Sequence, residues 1–236
     1  MAHFSLPPSI DARVRAQAEI WRRQAQIPEK ERESIASAPF ITISRQFGCV
    51  AYVLAEALVE RLSKMGFAEE FVIYDRKLLE LISEKDDISS NLVNSLTNRA
   101  RSEIEDWVVG VMSGAPSEMK TFRCLARTIC AIASKGHAIL IGRGGALLTR
   151  HLTSGVHIRL IADPEWRLEN LKRYPERSKE TNMKTLQQVD QERESFVKKY
   201  LGADINDPLH YHLVLNNALL PIRTQAETIL QLIKNL

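Results

Sequence analysis

Short apolar runs alternate along the chain with longer segments of helical periodicity. The runs are rich in β-branched or aromatic residues and predict strands. They lie at residues 40–43, 71–74, 138–141, 156–161 and 213–216. Between them apolar residues recur every three or four positions, as in Leu54, Leu58 and Leu62, which predicts helices. This alternation predicts a parallel sheet of about five strands covered by helices on both faces.

Residues 11–37 precede the first predicted strand and carry few apolar side chains. They predict a polar helix, with Trp21 among its scarce apolar contacts, that ends or kinks at Pro28. Such a helix cannot form a core alone. We therefore expect residues 1–38 to be an N-terminal helical extension that docks on the domain or on a second subunit, with the domain itself spanning 39–236.

The composition fits one globular domain with an appendage. The 236 residues are 44% hydrophobic and 26% charged, and the formal net charge is only +3. Mixed charge of this size does not indicate a nucleic-acid partner. The apolar runs are too short to span a bilayer, and the N-terminal sequence lacks the pattern of a secretory signal. These features predict a cytoplasmic protein without a membrane partner.

Cysteine and histidine residues give weak signals. The three cysteines Cys49, Cys124 and Cys130 are widely spaced and include no CxxC pair, so neither a disulfide framework nor a zinc site is expected. His210 and His212 would lie on one side of a strand, but no third ligand is nearby in the sequence. We therefore expect no metal-binding residues.

Three arginines follow predicted strands: Arg45, Arg76 and Arg143. In a parallel sheet, ligands bind beyond the carboxyl ends of the strands, so these side chains should meet in one crevice. Guanidinium groups that converge would repel one another unless an anion lay between them, and arginine binds phosphate with two hydrogen bonds. The pattern predicts a phosphorylated ligand. The alternative is that each arginine pairs with a local carboxylate.

Residues 163–200 are rich in charge and predicted to be helical. Asp163 can cap the first helix and Pro164 suits its first position. A mobile helical hairpin with arginines could cover a bound nucleotide and exclude water. On composition alone, a solvated helix with ion pairs between residues four apart is favoured.

Several segments occur in an order and spacing that resemble a known family. They are ITISRQFG, LAEALVERL, YDRKLLE, AILIGRGGALL, VHIRLIADPEWRLENL, VDQERESFVKKY and DPLHYHLVLNNALL. Over about residues 39–236 they resemble the cytidylate-kinase-like family of P-loop kinases. The resemblance implies a three-layer α/β/α P-loop NTPase-type fold with a helical lid at roughly 165–200.

The resemblance also implies an activity and its residues. Such enzymes transfer the γ-phosphoryl group of ATP to a nucleoside monophosphate with magnesium, so it implies a small-molecule nucleotide as ligand and ATP and Mg as cofactors. The implied catalytic residues are Arg143, Arg167 and Arg193. The implied nucleotide- and phosphate-binding residues are Ser44, Arg45, Gly48, Cys49, Ala51, Tyr52, Asp75, Arg76, Arg123 and Asp190.

The phosphate loop departs from its usual pattern, GxxxxGK[ST]. In residues 47–53 only Gly48 remains, Val50 disfavours positive φ, and no Lys, Ser or Thr occupies the matching positions. Either the loop straightens and Tyr52 fills the phosphate pocket, or Arg45 supplies the missing charge. We expect ATP turnover to be weak or absent.

Two further positions bear on the chemistry of this site. Cys49 lies near a predicted helix N-terminus and Arg45, which could lower its pKa and make it reactive. The favoured interpretation is a small residue that fills the slot of a glycine or serine. Gly144 replaces the Asp that follows the arginine in cytidylate kinases, which removes a basis for cytosine specificity.

Three functions therefore remain in competition. The first is ATP-dependent phosphoryl transfer to a nucleoside monophosphate or similar small molecule, which the resemblance favours. The second is a non-catalytic protein that binds a nucleotide or another anion and has lost the ATP loop. The third is an interaction module. For a homodimer, the candidate contacts are the N-terminal helix and the region around Trp107.

Overall fold

The computed structural model describes residues 9–34, 38–67, 69–112, 119–142, 144–173 and 182–235. Its strands form one parallel sheet in the order β2-β3-β1-β4-β5. They are β1 (Phe40–Arg45), β2 (Val72–Tyr74), β3 (Ala138–Ile141), β4 (Gly155–Ile161) and β5 (Leu213–Asn216). The predicted parallel five-stranded sheet is confirmed, and β1 lies at its centre.

Helices connect the strands and flank the sheet. They are α1 (Ile10–Ala25), α2 (Glu29–Ser34), α3 (Ala51–Leu62), α4 (Arg76–Glu84), α5 (Asp86–Asn94), α6 (Asn98–Val111), α7 (Lys120–Lys135), α8 (Gly145–Thr149), α9 (Pro164–Lys172), α10 (Met183–Leu201) and α11 (Ile222–Lys234). A short 3-10 helix, Pro208–His210, precedes β5. The described part of the chain contains no helix that is both long enough and apolar enough to cross a membrane.

Local sequence signals explain where several helices begin and end. The Asp75 carboxylate accepts the backbone N–H of Leu78 and caps α4, and Asp163 caps α9 with Pro164 at its first position. Helix α7 ends at Gly136, whose φ of 75° suits glycine. A Cβ on Gly136 would lie 2.2 Å from the carbonyl oxygen of Ala38, so no other residue fits there.

Alternating side chains of β1 separate two buried layers. Ile41 and Ile43 pack with Leu54 and Leu58 of α3 and with Ile229 of α11. Phe40 faces the opposite layer, which is formed mainly by residues of α1 and α4–α8. Because the central strands β1, β3 and β4 are buried on both faces over most of their length, their sequences are largely apolar rather than alternating. The predicted three-layer α/β/α arrangement is confirmed.

The N-terminal helix packs against the rest of the same chain. Val14 and Trp21 of α1 are fully or almost fully buried, and Arg13 donates a hydrogen bond to the carbonyl oxygen of Ile73 in β2. Pro28 separates α1 from α2, as its backbone chemistry predicts. Docking on the domain, one of the two expected arrangements, is therefore present. The division into 1–38 and 39–236 remains a prediction.

Candidate functional site

A cavity of about 360 Å³ opens at the carboxyl edge of the sheet, between the ends of β1 and β3 and one side of α10. Its described lining residues combine arginines, one hydroxyl, one carboxylate and an apolar wall. They are Ser44, Arg45, Arg76, Gly142, Gly144, Val189, Glu192, Arg193, Phe196, Val197 and Ile205. With three arginines against one glutamate, the described lining carries net positive charge. Arg143, the remaining predicted strand-end arginine, lies outside the described residues.

A hydrogen bond from the Arg193 side chain to the backbone of Arg45 holds these two residues together. Arg193 donates a hydrogen bond from Nη1 to the carbonyl oxygen of Arg45 at 3.0 Å, and its guanidinium lies 5.5 Å from the ring centre of Phe47. The Arg45 side chain passes directly over Gly142, where a Cβ would lie 2.1 Å from its Nη1. Gly142, with φ of 89°, therefore both ends β3 and makes room for Arg45.

Arg76 is the most exposed of the three arginines. It begins α4, its side chain is 64% exposed, and its Nε donates to Glu80 at 2.9 Å. Arg76 thus pairs with a local carboxylate, which is the alternative to phosphate binding that the sequence left open. Exposed pairs of this kind contribute little free energy, so this one would give way to a more highly charged phosphate.

The phosphate loop uses its backbone N–H groups within the protein. The N–H of Phe47 donates to Asp190 at 2.7 Å, and that of Val50 donates to Asn217 at 2.8 Å. The N–H of Cys49 donates to the carbonyl oxygen of Gln46 at 3.3 Å. A working loop turns such groups toward a phosphate. Here a carboxylate, a side-chain amide and a carbonyl already accept them.

Helix α9 packs directly onto the one remaining loop glycine. Gly48 has φ of 93° and is buried, and a Cβ there would lie 2.8 Å from both the Cβ and the carbonyl oxygen of Arg167. Asn170 donates to the Gly48 carbonyl oxygen at 2.7 Å. The space beside Gly48 is therefore filled by protein atoms. The first expected outcome for the loop is not seen, since Tyr52 lies on the exposed side of α3 rather than in a pocket. The second, in which Arg45 supplies the missing charge, stays a prediction.

Arg167 is part of this packing and does not line the cavity. It is 4% exposed, pairs with Asp190 at 2.5 Å, and donates to the carbonyl oxygens of Phe47 and Ala162. The Asp190 carboxylate thus joins α9, α10 and the loop. In this structure the contacts of Arg167 hold the loop; the catalytic role that the resemblance implies for it stays a prediction.

The other predicted residues are dispersed. Asp75 caps α4, and Ala51 is buried at the start of α3. Arg123 lies on α7 and is not among the described lining residues of the cavity; it adds only a small part to the lowering of the pKa of Glu105, which comes mainly from the hydrogen bond of Arg127. Burial raises the pKa of Cys49 to about 11, against the effect of nearby Arg167. This agrees with a small packing residue and not with a reactive thiol.

Sequence reasoning missed several residues at or near the cavity. Glu192 and Phe196 of α10 line it, and Arg159 of β4 bonds to Ser44 from beneath. The signal for Arg159 was present, since a charged residue within the run VHIRLI interrupts an otherwise apolar strand. Glu192 and Phe196 carried no such signal, because a long charged helix does not reveal which face it turns inward.

The sequence model of the cytidylate kinase-like family matches residues 40–219. No curated protein sequence matches the chain significantly. The fold is similar to an uncharacterized protein from Eubacterium ventriosum ATCC 27560, with a TM-score of 0.53 and 14% identity, over 85% of this chain and 100% of that one. Shikimate kinase from Bacteroides thetaiotaomicron superposes with a TM-score of 0.47 and 11% identity, over 83% of this chain and 98% of the other. At 14% identity, the similarity to the Eubacterium protein concerns the fold alone.

Proposed function

Since this chain belongs to the cytidylate kinase-like family, we propose that it binds a nucleoside monophosphate or a similar small phosphate ester in the cavity beside β1. The observation that carries the proposal is that Arg45, Arg76 and Arg193 line one cavity together with the hydroxyl of Ser44. Glu192 is the one carboxylate among the described lining residues. A doubly charged phosphate fits such a set because guanidinium groups bind its oxygens in pairs.

The shape of the cavity supports an organic ester rather than a bare ion. Its volume of about 360 Å³ lies in the range of small-molecule sites. Besides the arginines, the lining includes the apolar residues Val189, Phe196, Val197 and Ile205. A ligand with a phosphate at one end and a flat or apolar group at the other satisfies both kinds of lining residue. Glu192 could accept a hydrogen bond from a hydroxyl or amino group of that ligand.

The same proposal includes the loss of ATP turnover. A nucleoside triphosphate with magnesium needs loop amides, a lysine and a hydroxyl. In this chain loop amides donate to Asp190 and Asn217, the space beside Gly48 is filled, and no lysine stands at the matching position. These residues do not fit a triphosphate and its metal. In this proposal the chain binds a nucleotide in the cavity, but the site where related kinases bind ATP is closed in it.

A second candidate is the family's own reaction, ATP-dependent phosphoryl transfer to a nucleoside monophosphate. Membership of the family favours it. It would require α9 to move away from Gly48 and would break the contacts of Asn170 and Asp190 with the loop. The two candidates differ in one measurable respect, which is the formation of ADP.

The test is a thermal-shift screen with nucleoside mono-, di- and triphosphates, with and without magnesium. A ligand that binds only the folded state raises the melting temperature. We expect a monophosphate to stabilise the protein, and Arg193→Gln to abolish most of that shift. Arg223→Gln is the matched control, because it removes an exposed arginine that pairs with Glu227 on α11. No shift with any phosphate, or equal shifts in both variants, would refute the proposal.

A companion assay for ADP separates the two candidates. Stabilisation by a monophosphate without ADP formation supports the binding protein, and ADP formed in step with a phosphorylated acceptor supports the kinase. Restoring loop glycines by Val50→Gly/Ala51→Gly should leave ATP affinity unchanged, because Asp190 and Asn217 still accept the loop amides. A clear gain in ATP affinity would mean that the loop is only degenerate and is not blocked by these contacts.

A further inference from the structure

A buried arginine lies directly behind the cavity. Arg159, in the middle of β4, is 4% exposed. Its Nη1 donates to the Ser44 hydroxyl at 2.7 Å, its Nη2 donates to the Asn206 side-chain carbonyl at 2.6 Å, and its guanidinium lies 5.8 Å from the ring centre of Tyr211. Both acceptors are neutral. A guanidinium removed from water normally needs an anion, since hydrogen bonds to neutral groups only partly replace its hydration.

The bond from Arg159 limits the directions that the Ser44 hydroxyl proton can take. A serine hydroxyl can donate once and accept twice. At Ser44 one acceptor position is taken by Arg159. The neighbouring Tyr211 hydroxyl, 3.4 Å away, gives its own proton to the carbonyl oxygen of Ile205 at 2.8 Å. The Ser44 proton is left to be donated, and Ser44 lines the cavity.

We propose that Arg159 is a positioning residue for the phosphate of the ligand. It orients and polarises Ser44, whose hydroxyl then donates to a phosphate oxygen, and the bound phosphate supplies the negative charge that the acceptors of Arg159 lack. This inference rests on the proposed function of the cavity. It adds a buried cation that acts through a serine to the arginines that line the site.

The network also reaches the helix that carries Arg193. Asn206 accepts from Arg159 and donates from Nδ2 to Glu194 at 2.9 Å. The path therefore runs from Ser44 through Arg159 and Asn206 to α10, where Glu194 follows Arg193 in the sequence. A phosphate bound at Ser44 would contact one end of this path directly, in the cavity that Arg193 also lines.

The decisive variant is Asn206→Asp, made in a Glu194→Gln background so that two carboxylates do not meet. The aspartate has nearly the same shape and supplies Arg159 with a permanent anion. We expect the affinity for cytidine 5′-monophosphate, measured by calorimetry, to fall about tenfold relative to Glu194→Gln alone. The melting temperature without ligand should stay the same or rise, because the buried cation gains a partner. Asn94→Asp, an exposed position at the end of α5, controls for the added charge.

A second variant tests the serine itself. Ser44→Ala should also weaken binding of the monophosphate about tenfold, with a much smaller effect on binding of the uncharged nucleoside. In the Ser44→Ala background the penalty of Asn206→Asp should shrink, because the two changes act on one interaction. Both variants keep Arg159, so misfolding caused by its removal does not confuse the result.

The outcomes separate this inference from the function on which it rests. If the unmodified protein binds none of the nucleoside monophosphates of the thermal-shift screen and no inorganic phosphate, the proposed function fails, and this inference fails with it. If the unmodified protein binds and Arg193→Gln weakens binding, but Ser44→Ala and Asn206→Asp leave affinity unchanged, only the role of Arg159 is overturned. A loss of stability in Asn206→Asp without loss of affinity would show that Arg159 is purely structural.

Discussion

The carboxylate of Asp190 accepts the backbone N–H of Phe47 at 2.7 Å, which ties α10 to the loop after β1. The same carboxylate pairs with Arg167, so α9 is held at the same point. An internal anion thus satisfies an amide of the kind that phosphate loops present to a ligand. This relationship fixes the position of the loop relative to α9 and α10.

Removing the charge of Asp190 should destabilise the protein. In Asp190→Asn the Arg167 side chain, only 5% exposed, would lose its anionic partner while remaining buried. Breaking one side of a buried pair costs about 3 kcal/mol, which urea denaturation can measure. Glu227→Gln is the control, because its pair with Arg223 is exposed and should not matter measurably. Equal stability of the two variants would show that the pair is not structural.

Alanine substitutions at two glycines with positive φ should separate the cost of backbone strain from the cost of close packing. In Gly66→Ala the φ of 77° is strained, but no atom lies within 4 Å of the new Cβ, so we expect a loss of roughly 1 kcal/mol. In Gly48→Ala the same strain is joined by contacts of 2.8 Å with Arg167, and the loss should be clearly larger. Denaturation midpoints of both variants check this. If the two losses were equal, α9 would not approach the loop as closely as described.

Stability should fall in mild acid because of His157. Burial, with a smaller effect of nearby His212, lowers the pKa of His157 to about 4 from an ordinary value of 6.5. Between pH 6.5 and about 4, His157 is therefore protonated in the unfolded chain but mostly neutral in the folded protein. The stability present above pH 6.5 is lost as the pH falls toward 4, by roughly 3 kcal/mol in total.

Chemical denaturation across this pH window tests the effect. The variant His157→Gln should flatten the dependence, since it cannot take up the proton. Burial also lowers the pKa of His137 and His151, so a smaller slope of the same sign should remain. A pH profile of the variant parallel to that of the unmodified protein would contradict the assignment to His157.

The cysteines should differ in reactivity. Burial raises the pKa of Cys49 to about 11 and that of Cys130 to about 12, whereas Cys124 is exposed. The thiolate reacts, so at pH 7.5 iodoacetamide should label Cys124 first and the other two much more slowly. Mass spectrometry of timed samples measures this, and Cys124→Ser should remove the fast adduct. Fast labelling of Cys49 would mean that the loop opens readily.

The sequence alone was sufficient to predict the sheet and some of the residues that line the cavity. The strands β3 and β5 lie where apolar runs predict them, and α3 contains the periodic Leu54, Leu58 and Leu62, because each of these elements is decided by local residues. Arg45 ends β1 and Arg76 follows β2, the two strands on either side of β3, and topology alone brings them to one edge of the sheet. Their meeting with Arg193 needed the family pattern, since Arg193 comes from a distant helix.

The sequence could not reveal how the loop is closed. The Asp190–Phe47 contact joins residues far apart in the chain, and no spacing or composition signals it. Arg167 was assigned by motif to the ligand, but the distance between α9 and Gly48 decides that it points into the loop instead. Asp75 carried a readable local signal, because an aspartate before a helix is a common cap.

Helices α1 and α11 both lie outside the stretch matched by the family, residues 40–219. The first buries Trp21 on one side of the sheet and the second buries Ile229 on the other. A fragment trimmed to those limits would expose apolar surface on both sides and would be prone to aggregate. The smallest piece that can be produced intact therefore includes both outer helices, and tags or fusion partners belong beyond them.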